Sequence, residues 1–189
     1  MAKISSLIIP GCWVVFATYW FISAMRVKVT AERQSLRSAL AHRIPLGCSY
    51  VLLAARHLPP PLNWPVPAPS DGARAMGDLF CVLGLFVTLW ARSTLAGNWS
   101  GDVTFKQGHE LIRTGPYRFV RHPIYTGLLA MCLGTALALG QFRGWLALSL
   151  MTAAFWIKLK QEERLMLRHF PNDYPAYQKQ VKAIVPFVI

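Results

Sequence analysis

Long apolar segments separated by short basic loops constrain this chain more than any other feature. Residues 4–25, ISSLIIPGCWVVFATYWFISAM, form a mostly apolar run, and a helix needs about 20 such residues to cross a bilayer. Comparable segments follow at residues 40–58, 75–96, 124–140 and 144–159. Apolar residues make up 54% of the chain, which is high for a soluble domain. The sequence therefore predicts an all-α integral membrane protein with about five transmembrane helices.

The first apolar segment has a second interpretation as a signal peptide. It is long for the apolar region of such a peptide, stays aromatic to its end and lacks a clear A-x-A cleavage motif. We therefore predict a helix of the mature protein. The second segment carries His42, Arg43, Arg56 and His57, but these cluster at its ends, where long side chains can reach the membrane interface.

The connections between segments indicate how the chain is organised. Only GQFRG separates the last two apolar segments, and a connection this short predicts an antiparallel helical hairpin. Residues 59–69 are rich in proline, which favours a stiff extended connector. We therefore divide the chain into three N-terminal spans, residues 1–94, and a core of loop, hairpin and C-terminal helix, residues 95–189.

Positive charge is concentrated in alternate loops. The chain has 20 Lys and Arg residues against 8 Asp and Glu residues, a formal net charge of +12. Loops rich in Lys and Arg stay in the cytoplasm, so the N-terminus is predicted outside, and the loop before the hairpin and the C-terminal tail on the cytoplasmic face. We expect a prokaryotic plasma membrane. The basic residues are Arg26, Lys28, Arg33, Arg37 and Arg43, then Arg92, Lys106, Arg113, Arg118 and Arg121, then Lys158, Lys160, Arg164, Arg168, Lys179 and Lys182.

Several function classes lack their sequence signatures. No zinc-finger, RNP-like or leucine-zipper pattern accompanies the basic charge, so nucleic acid is not an expected partner. Neither the glycine fingerprint of dinucleotide-binding folds nor the phosphate-binding loop occurs, and G-x-S-x-G and H-E-x-x-H are missing. The four cysteines, Cys12, Cys48, Cys81 and Cys132, are far apart in apolar segments, which predicts packing and no metal site.

The longest polar stretch, Asn98 to Pro123, precedes the fourth apolar segment. Glycines at 108 and 115 predict two bends in it. Pro123 suits the first turn of a helix, which makes His122 a candidate N-cap and leaves free backbone N–H groups that favour an anionic group. The alternative is simple anchoring, in which basic and tyrosine side chains lie at the membrane interface.

A second polar cluster lies where the fifth segment ends, in KLKQEERL. Lys158 and Glu162 are four residues apart, so they are neighbours on one helix face. The glutamate is one of few acidic residues in a basic tail, and it would bind an amino group or balance a cation. A solvated helix face is the alternative.

The two polar clusters together resemble the C-terminal core of the isoprenylcysteine carboxyl methyltransferase family and the related membrane phospholipid methyltransferases. The similar stretches are HELIRTGPYRFVRHPIYTG, with its T-G-P-Y and R-H-P-x-Y-x-G patterns, and KLKQEERLMLRHFPNDYPAYQKQV. The resemblance covers roughly residues 95–187. It implies methyl transfer from S-adenosylmethionine to a lipophilic substrate that enters from the bilayer, in a cytoplasmic pocket formed by the loop before the hairpin and the helix after it.

The resemblance also implies roles for individual residues. Lys158 and Glu162 are the expected catalytic residues, Lys158 and Arg121 are expected to bind substrate, and no metal is expected. The expected cofactor-binding residues are His109, Glu110, Leu111, Ile112, Gly115, Tyr117, His122, Pro123, Ile124, Tyr125 and Glu162. The expected acceptor is the carboxylate of an isoprenylcysteine-like molecule.

One departure from the family keeps other functions open. Related carboxyl methyltransferases carry an arginine where this chain has Lys158, and lysine lacks the planar two-point grip on a carboxylate. The alternatives are methylation of a phospholipid amine or another small lipophile, an NADPH-dependent reductase of the sterol-reductase type, and a non-catalytic membrane protein. Membrane lipid is an expected partner, and the sequence predicts no oligomeric state.

Overall fold

The computed structural model describes residues 2–25, 27–55, 57–66, 69–108 and 110–186, most of which are helical. Each apolar segment predicted from the sequence coincides with a helix. In chain order the helices are α1 Ala2–Ala24, α2 Leu36–Ala54, α3 Asp71–Leu95, α4 Pro123–Leu139, α5 Phe142–His169 and the shorter α6 Asp173–Gln180. Two 3₁₀ turns, Ala96–Asn98 and Gly115–Arg118, lie between α3 and α4.

The helix boundaries follow local sequence signals. Ser35 and Ser70 cap α2 and α3, and each hydroxyl accepts a hydrogen bond from the backbone N–H three residues later, at 3.3 and 3.1 Å. Pro123 begins α4, where a missing N–H leaves no helical bond unmade. Gly140 ends α4 with φ 55°, a left-handed conformation that favours glycine. Because α5 begins at Phe142, α4 and α5 form the predicted hairpin.

Glycines bring the backbones of α3 and α4 into contact. Gly77 of α3 lies opposite Gly134 of α4, and Gly84 lies opposite Gly127, so the two helices run antiparallel. A Cβ atom added to Gly77 would stand 2.6 Å from the Gly134 carbonyl oxygen, and one added to Gly84 would stand 2.8 Å from the Met131 backbone nitrogen. This is the most extensive helix pair among the described residues. Close approach through small residues is typical of helices that associate in a bilayer.

The other long helices pack around this pair. α5 lies against α2 and α4: Ser49 Oγ of α2 donates to an α5 carbonyl at 2.8 Å, and Gly144 of α5 lies against Ala136 of α4. α1 lies against α3, and Trp13 Nε1 of α1 donates to Thr135 Oγ1 of α4 at 3.0 Å. These polar groups have protein partners, which a bilayer interior requires because lipid offers none.

The proline-rich segment folds back towards the hairpin. Residues 60–63 form a turn, and Pro65 pairs with Gln141 in the α4–α5 connection. Three backbone hydrogen bonds of 2.9 Å join residues 62–66 to residues 140–143. The prediction of a stiff extended connector over 59–69 is therefore wrong where the structure describes the segment, because its backbone groups pair with the adjacent loop. Residues 67–68 lie outside the described residues.

A small antiparallel sheet departs from the all-α prediction. Strand β1, Thr30–Arg33, follows α1, and strand β2, Thr104–Lys106, lies in the polar stretch before α4. The strands are too short to show a strand pattern in the sequence, since alternation needs about four to eight residues to be recognised. The polar stretch turns, as predicted, at Gly108 and Gly115, whose φ angles are 60° and 58°.

Among the described residues, two helical segments are long and apolar enough to cross a membrane by length and composition, Leu7–Ala24 and Asp71–Asn98. The apolar helix Pro123–Leu139 is shorter. The remaining two predicted spans lie in α2, which carries Arg37 and Arg43, and in α5, which carries charged residues at its start and from Lys158 onward. The structure therefore supports a helical protein with membrane-capable helices, whereas the number of five spans stays a prediction.

The glycine contact yields a stability prediction. We expect Gly84→Ala to lower the free energy of unfolding by about 1–3 kcal/mol, because the added methyl group meets the α4 backbone. In a chain of this size each kcal/mol shifts the unfolding midpoint by about 2–4 °C, which a thermal melt in detergent resolves. Gly11→Ala in α1 and Gly47→Ala in α2 are matched controls, since nothing lies within 4 Å of the added atom. An unchanged midpoint for Gly84→Ala would contradict the close packing.

Candidate active site

A cavity of about 400 Å³ opens between the helices and the loops that precede α4. This volume lies in the range of small-molecule sites. Side chains from within the predicted spans form an apolar wall, which includes Phe16, Trp20, Leu46, Tyr50, Leu128 and Phe155. Side chains from the loops before α4 and from the part of α5 nearest these loops form a polar wall, which includes Asp102, Thr104, Glu110, Tyr117, Lys158 and Glu162. The cavity therefore joins an apolar region to a charged one.

Most of the predicted site residues line this cavity. From the predicted cofactor set these are Glu110, Leu111, Ile112, Tyr117, His122, Ile124, Tyr125 and Glu162, and the predicted substrate residues Lys158 and Arg121 join them. Gly115 does not line the cavity and turns against Thr94, and Pro123 is buried at the start of α4. His109 lies outside the described residues. The fold thus brings most of the set together, while the roles of these residues stay predictions.

Glu162 is the centre of the polar wall. Tyr125 Oη donates a hydrogen bond to Glu162 Oε1 at 2.6 Å, His122 Nδ1 lies 3.5 Å from Oε2, and Lys158 Nζ lies 3.9 Å from Oε1. Burial alone would raise the pKa of Glu162, but the hydrogen bond from His122 and the charge of Lys158 hold it below its ordinary value. The carboxylate is therefore charged at neutral pH, with three partners on one face of the cavity.

A stack of three rings orients the tyrosine that binds this glutamate. His122 and Tyr125 stack with ring centroids 5.3 Å apart, and Tyr125 and Phe155 stack at 4.5 Å with an interplanar angle of 9°. Such stacking supplements the burial of the rings. Because the ring of Tyr125 is held on both faces, its hydroxyl has one direction to point, towards Glu162.

The neighbouring Glu163 has a different set of partners. Arg121 donates to Glu163 Oε1 from Nε at 2.9 Å and from Nη2 at 2.6 Å, and Gln178 of α6 donates to Oε2 at 3.1 Å. Arg121 Nη1 also donates to the backbone carbonyl of Val181. The guanidinium predicted to bind substrate therefore has protein partners, and it joins α5 to the segment after α6. No role for Glu163 was predicted from the sequence, although adjacent residues of a helix point in different directions.

The segment after α6 is bound to the start of α4. The backbone N–H groups of Arg121 and His122 donate to the carbonyls of Lys182 and Ala183 at 2.8 and 2.9 Å. Thr126 Oγ1 donates to the backbone carbonyl of Ile184 at 2.7 Å. These bonds hold the R-H-P-x-Y-x-G segment against residues 181–184. The positions of His122 and Tyr125 beside the polar wall therefore depend on residues that are distant in the sequence.

Lys158 is buried, and its ammonium binds the loop before β2. Lys158 Nζ donates to the Gly101 carbonyl at 2.8 Å and lies 5.5 Å from the centre of the Tyr125 ring. The next residue, Asp102, lines the cavity and pairs with Arg43 of α2. The polar stretch predicted from the sequence includes this loop, but no role was predicted for Asp102, because its pairing with α2 depends on tertiary contact.

Metal binding has no visible basis in the part of the chain that the structure describes. No group of three or more His, Cys, Asp or Glu residues there could hold a metal ion. The polar wall instead offers carboxylates, tyrosine hydroxyls and one lysine, which suit a small organic ligand with cationic and hydroxyl groups.

The segment that contains the polar wall is similar in sequence to known proteins. A protein-family model described as phospholipid methyltransferase matches residues 73–173, which is more than half of the chain. The match runs from α3 to the start of α6 and contains the α3–α4 contact, the hairpin and the Glu162 cluster.

Individual proteins that are similar to this chain share one name. The protein-S-isoprenylcysteine O-methyltransferase of Schizosaccharomyces pombe is 31% identical over 112 residues, which cover 58% of this chain and 48% of that protein. The Saccharomyces cerevisiae protein of the same name is 29% identical over 119 residues, 60% of this chain and 48% of its own length. The Mus musculus protein is 28% identical over 128 residues, 66% of this chain and 45% of its own. The matches thus span about half the length of these relatives.

The contacts of His122 predict a pH-dependent contribution to stability. Burial alone would lower the pKa of His122, but its bonds to Glu162 and Glu163 raise it above the ordinary value of 6.5. A raised pKa in the folded state means that the stabilisation is complete below pH 6.5 and is lost as the pH rises through the folded-state pKa.

We therefore expect His122→Gln to be less stable than wild type at acidic pH, with the difference shrinking as the pH rises. Thermal melts of both proteins between about pH 5.5 and 9 measure this difference. His57→Gln is the control, because His57 is exposed in the loop after α2, away from both glutamates. A difference that stays constant with pH would contradict the assignment.

Proposed function

Because the chain belongs to the phospholipid methyltransferase family, we propose that it transfers a methyl group from S-adenosylmethionine to the carboxylate of a lipophilic, isoprenylcysteine-like acceptor. The observation that carries the proposal is the Glu162–Lys158 pair, which lies in a cavity with one polar and one apolar wall. A charged, water-borne donor and a lipid-borne acceptor need both walls. The names of the yeast and mouse relatives support the same acceptor.

The proposal includes a membrane arrangement. α1 to α5 each cross the bilayer, with the N-terminus outside and the polar wall at the cytoplasmic face of a prokaryotic plasma membrane. The basic loops support this orientation. The acceptor enters from the bilayer along the apolar wall, so its lipid part never has to pass through water.

The residues of the polar wall fit the methyl donor. S-adenosylmethionine carries an ammonium group, a sulfonium group and two ribose hydroxyls, and Glu162 and Glu110 would accept from the ammonium and hydroxyl groups. Tyr117 and other aromatic residues that line the cavity provide aromatic faces, which attract cations. Burial raises the pKa of Tyr117 well above its ordinary value, so this phenol stays neutral.

S-adenosylmethionine, when bound, would supply an electrophilic sulfonium methyl group, and transfer of this methyl group to a carboxylate oxygen would leave the electron pair of the broken C–S bond on the sulfur. Lys158 holds the acceptor carboxylate, and Glu162 holds the donor one helical turn away. A carboxylate is already a nucleophile, so no general base is needed. Alignment of the two groups and exclusion of water by the apolar wall then supply most of the rate increase.

Donor binding can be tested without knowing the acceptor. We expect S-adenosylhomocysteine to bind the detergent-purified protein saturably in a calorimetric titration, and Glu162→Gln to weaken binding by about 10- to 100-fold, the usual effect of removing a charged hydrogen-bond partner. Asp71→Asn removes an exposed carboxylate at the far end of α3 and serves as the control.

Two results would contradict the proposed donor site. Unchanged affinity in Glu162→Gln would remove the glutamate from it. Failure of the folded wild type to bind would reject the methyl donor altogether, and NADPH would then be titrated to test the reductase alternative.

Methylation of a phospholipid amine is the second candidate. Lys158 favours it, because lysine grips a carboxylate less specifically than arginine. We expect methylation of N-acetyl-S-farnesylcysteine to change little above about pH 6, since a carboxylate is already ionised there. Methylation of phosphatidylethanolamine would instead rise steeply through the pKa of its amine, which must lose a proton. Activity on the phospholipid alone, with this rise, would select the second candidate.

A further inference from the structure

Three exposed basic side chains lie outside the cavity, Lys160 and Arg164 on α5 and Arg118 in the turn before α4. None of the three has a carboxylate within ion-pair distance among the described residues. The basic residues around the cavity differ, because they pair with carboxylates of the protein itself. The three exposed cations are therefore available to a partner outside the protein.

Two of these cations lie over exposed aromatic rings. Lys160 Nζ lies 4.8 Å from the centre of the Trp156 ring, and the guanidinium carbon of Arg118 lies 5.3 Å from the centre of the Phe119 ring. The exposed fractions of Trp156 and Phe119 are 46% and 52%. An apolar ring beside a cation fits a molecule that combines a hydrocarbon chain with an anionic group.

On α5 the cations continue the line of the tryptophan. Trp156, Lys160 and Arg164 are four residues apart, so they share one helix face, and all three are exposed. The two cations lie about 6 and about 12 Å beyond Trp156 along the helix axis, from the rise of an α-helix. The residues before Trp156 in this segment are mostly apolar. The face therefore changes from apolar to aromatic to cationic, which matches the order of hydrocarbon, interface and phosphate in a bilayer.

We propose that Lys160 and Arg164 bind the phosphate group of an anionic phospholipid, whose acyl chain lies along Trp156. Arg118 and Phe119 bind a second such lipid in the same way. This inference rests on the proposed crossing of the bilayer by α5 and is independent of the methyl-transfer reaction. A lipid fits both parts of each surface, whereas an acidic peptide would use the cations and leave the rings exposed.

The lipid site also determines the depth of the polar wall in the membrane. Lys158 and Glu162 belong to the same turns of α5 and line the cavity on its inward side. Lipid phosphates at Lys160 and Arg164 therefore place the polar wall at the level of the headgroups. A water-borne donor and a lipid-borne acceptor both reach this level.

Two short-chain lipids that differ in headgroup charge test the inference on the protein in a non-ionic detergent. Dioctanoylphosphatidylglycerol is anionic, and dioctanoylphosphatidylcholine has the same chains and no net charge. We expect the first to raise the unfolding midpoint saturably, with an affinity that falls as salt is added. The second should need a concentration at least about tenfold higher, since each basic residue near an anionic headgroup contributes about fivefold.

Variants assign lipid binding to the named cations. We expect the double variant Lys160→Gln/Arg164→Gln to bind the glycerol lipid about 10- to 30-fold more weakly. Arg118→Gln should lower by one the number of bound lipids that native mass spectrometry counts. The control is Lys179→Gln/Lys182→Gln, which removes the same charge from exposed positions in and after α6. The unfolding midpoint without lipid shows that each variant is folded.

Several results would overturn the inference. These are equal effects of the two lipids, an effect that persists in Lys160→Gln/Arg164→Gln, and an equal loss in the α6 control, which would mean attraction to net charge alone. Equal stabilisation by glycerophosphoglycerol or inorganic phosphate would indicate a phosphate site that needs no lipid. Displacement of the lipid by a soluble oligoglutamate peptide of equal charge would assign the surface to an acidic protein instead.

The lipid titration is separate from the test of the proposed function. It contains neither methyl donor nor acceptor, so a negative result leaves methyl transfer standing. Failure of S-adenosylhomocysteine to bind would likewise reject the donor site and leave the lipid site standing.

Discussion

The backbone contact between α3 and α4 determines where the rest of the protein can lie. Gly77 and Gly84 meet Gly134 and Gly127 with no room for a side chain, so the N-terminal end of α4 is held at one distance and one rotation against α3. His122 and Tyr125 belong to that end, and their stack with Phe155 carries the constraint across to α5. The direction of the Tyr125 hydroxyl, and with it the surroundings of Glu162, depends on two helices approaching as closely as glycine permits.

Much of this arrangement follows from local sequence, and the rest does not. The five apolar segments predict the five long helices because length and apolar composition are properties of each segment alone. Lys158 and Glu162 were correctly predicted as neighbours because helical spacing places them on one face. The α3–α4 contact was not predicted, although glycines recur at a spacing of seven in both helices. Which glycine faces which depends on how the helices pair, and a single helix does not contain that information.

The same distinction applies within the candidate site. The stretches HELIRTGPYRFVRHPIYTG and KLKQEERLMLRHFPNDYPAYQKQV, read together as one resemblance, contain four of the six residues given for the polar wall, namely Glu110, Tyr117, Lys158 and Glu162. Asp102 and Glu163 were missed for one reason: their partners, Arg43 and Arg121, come from other elements. For Arg121 the tertiary contacts give the guanidinium a carboxylate and backbone carbonyls within the protein, which sequence alone does not reveal. A charged residue in a motif thus shows that a site is near, and its partners show what that residue does there.

The bonds between residues 181–184 and the start of α4 bear on how the protein is made. The backbone N–H groups of Arg121 and His122 find their acceptors in Lys182 and Ala183, about sixty residues later in the chain. A ribosome releases the chain from its N-terminal end, so the start of α4 leaves the ribosome before residues 182 and 183 do. The polar wall is therefore completed only after the segment that follows α6 has been released, and a nascent chain without residues 181–184 still lacks the acceptors for the start of α4.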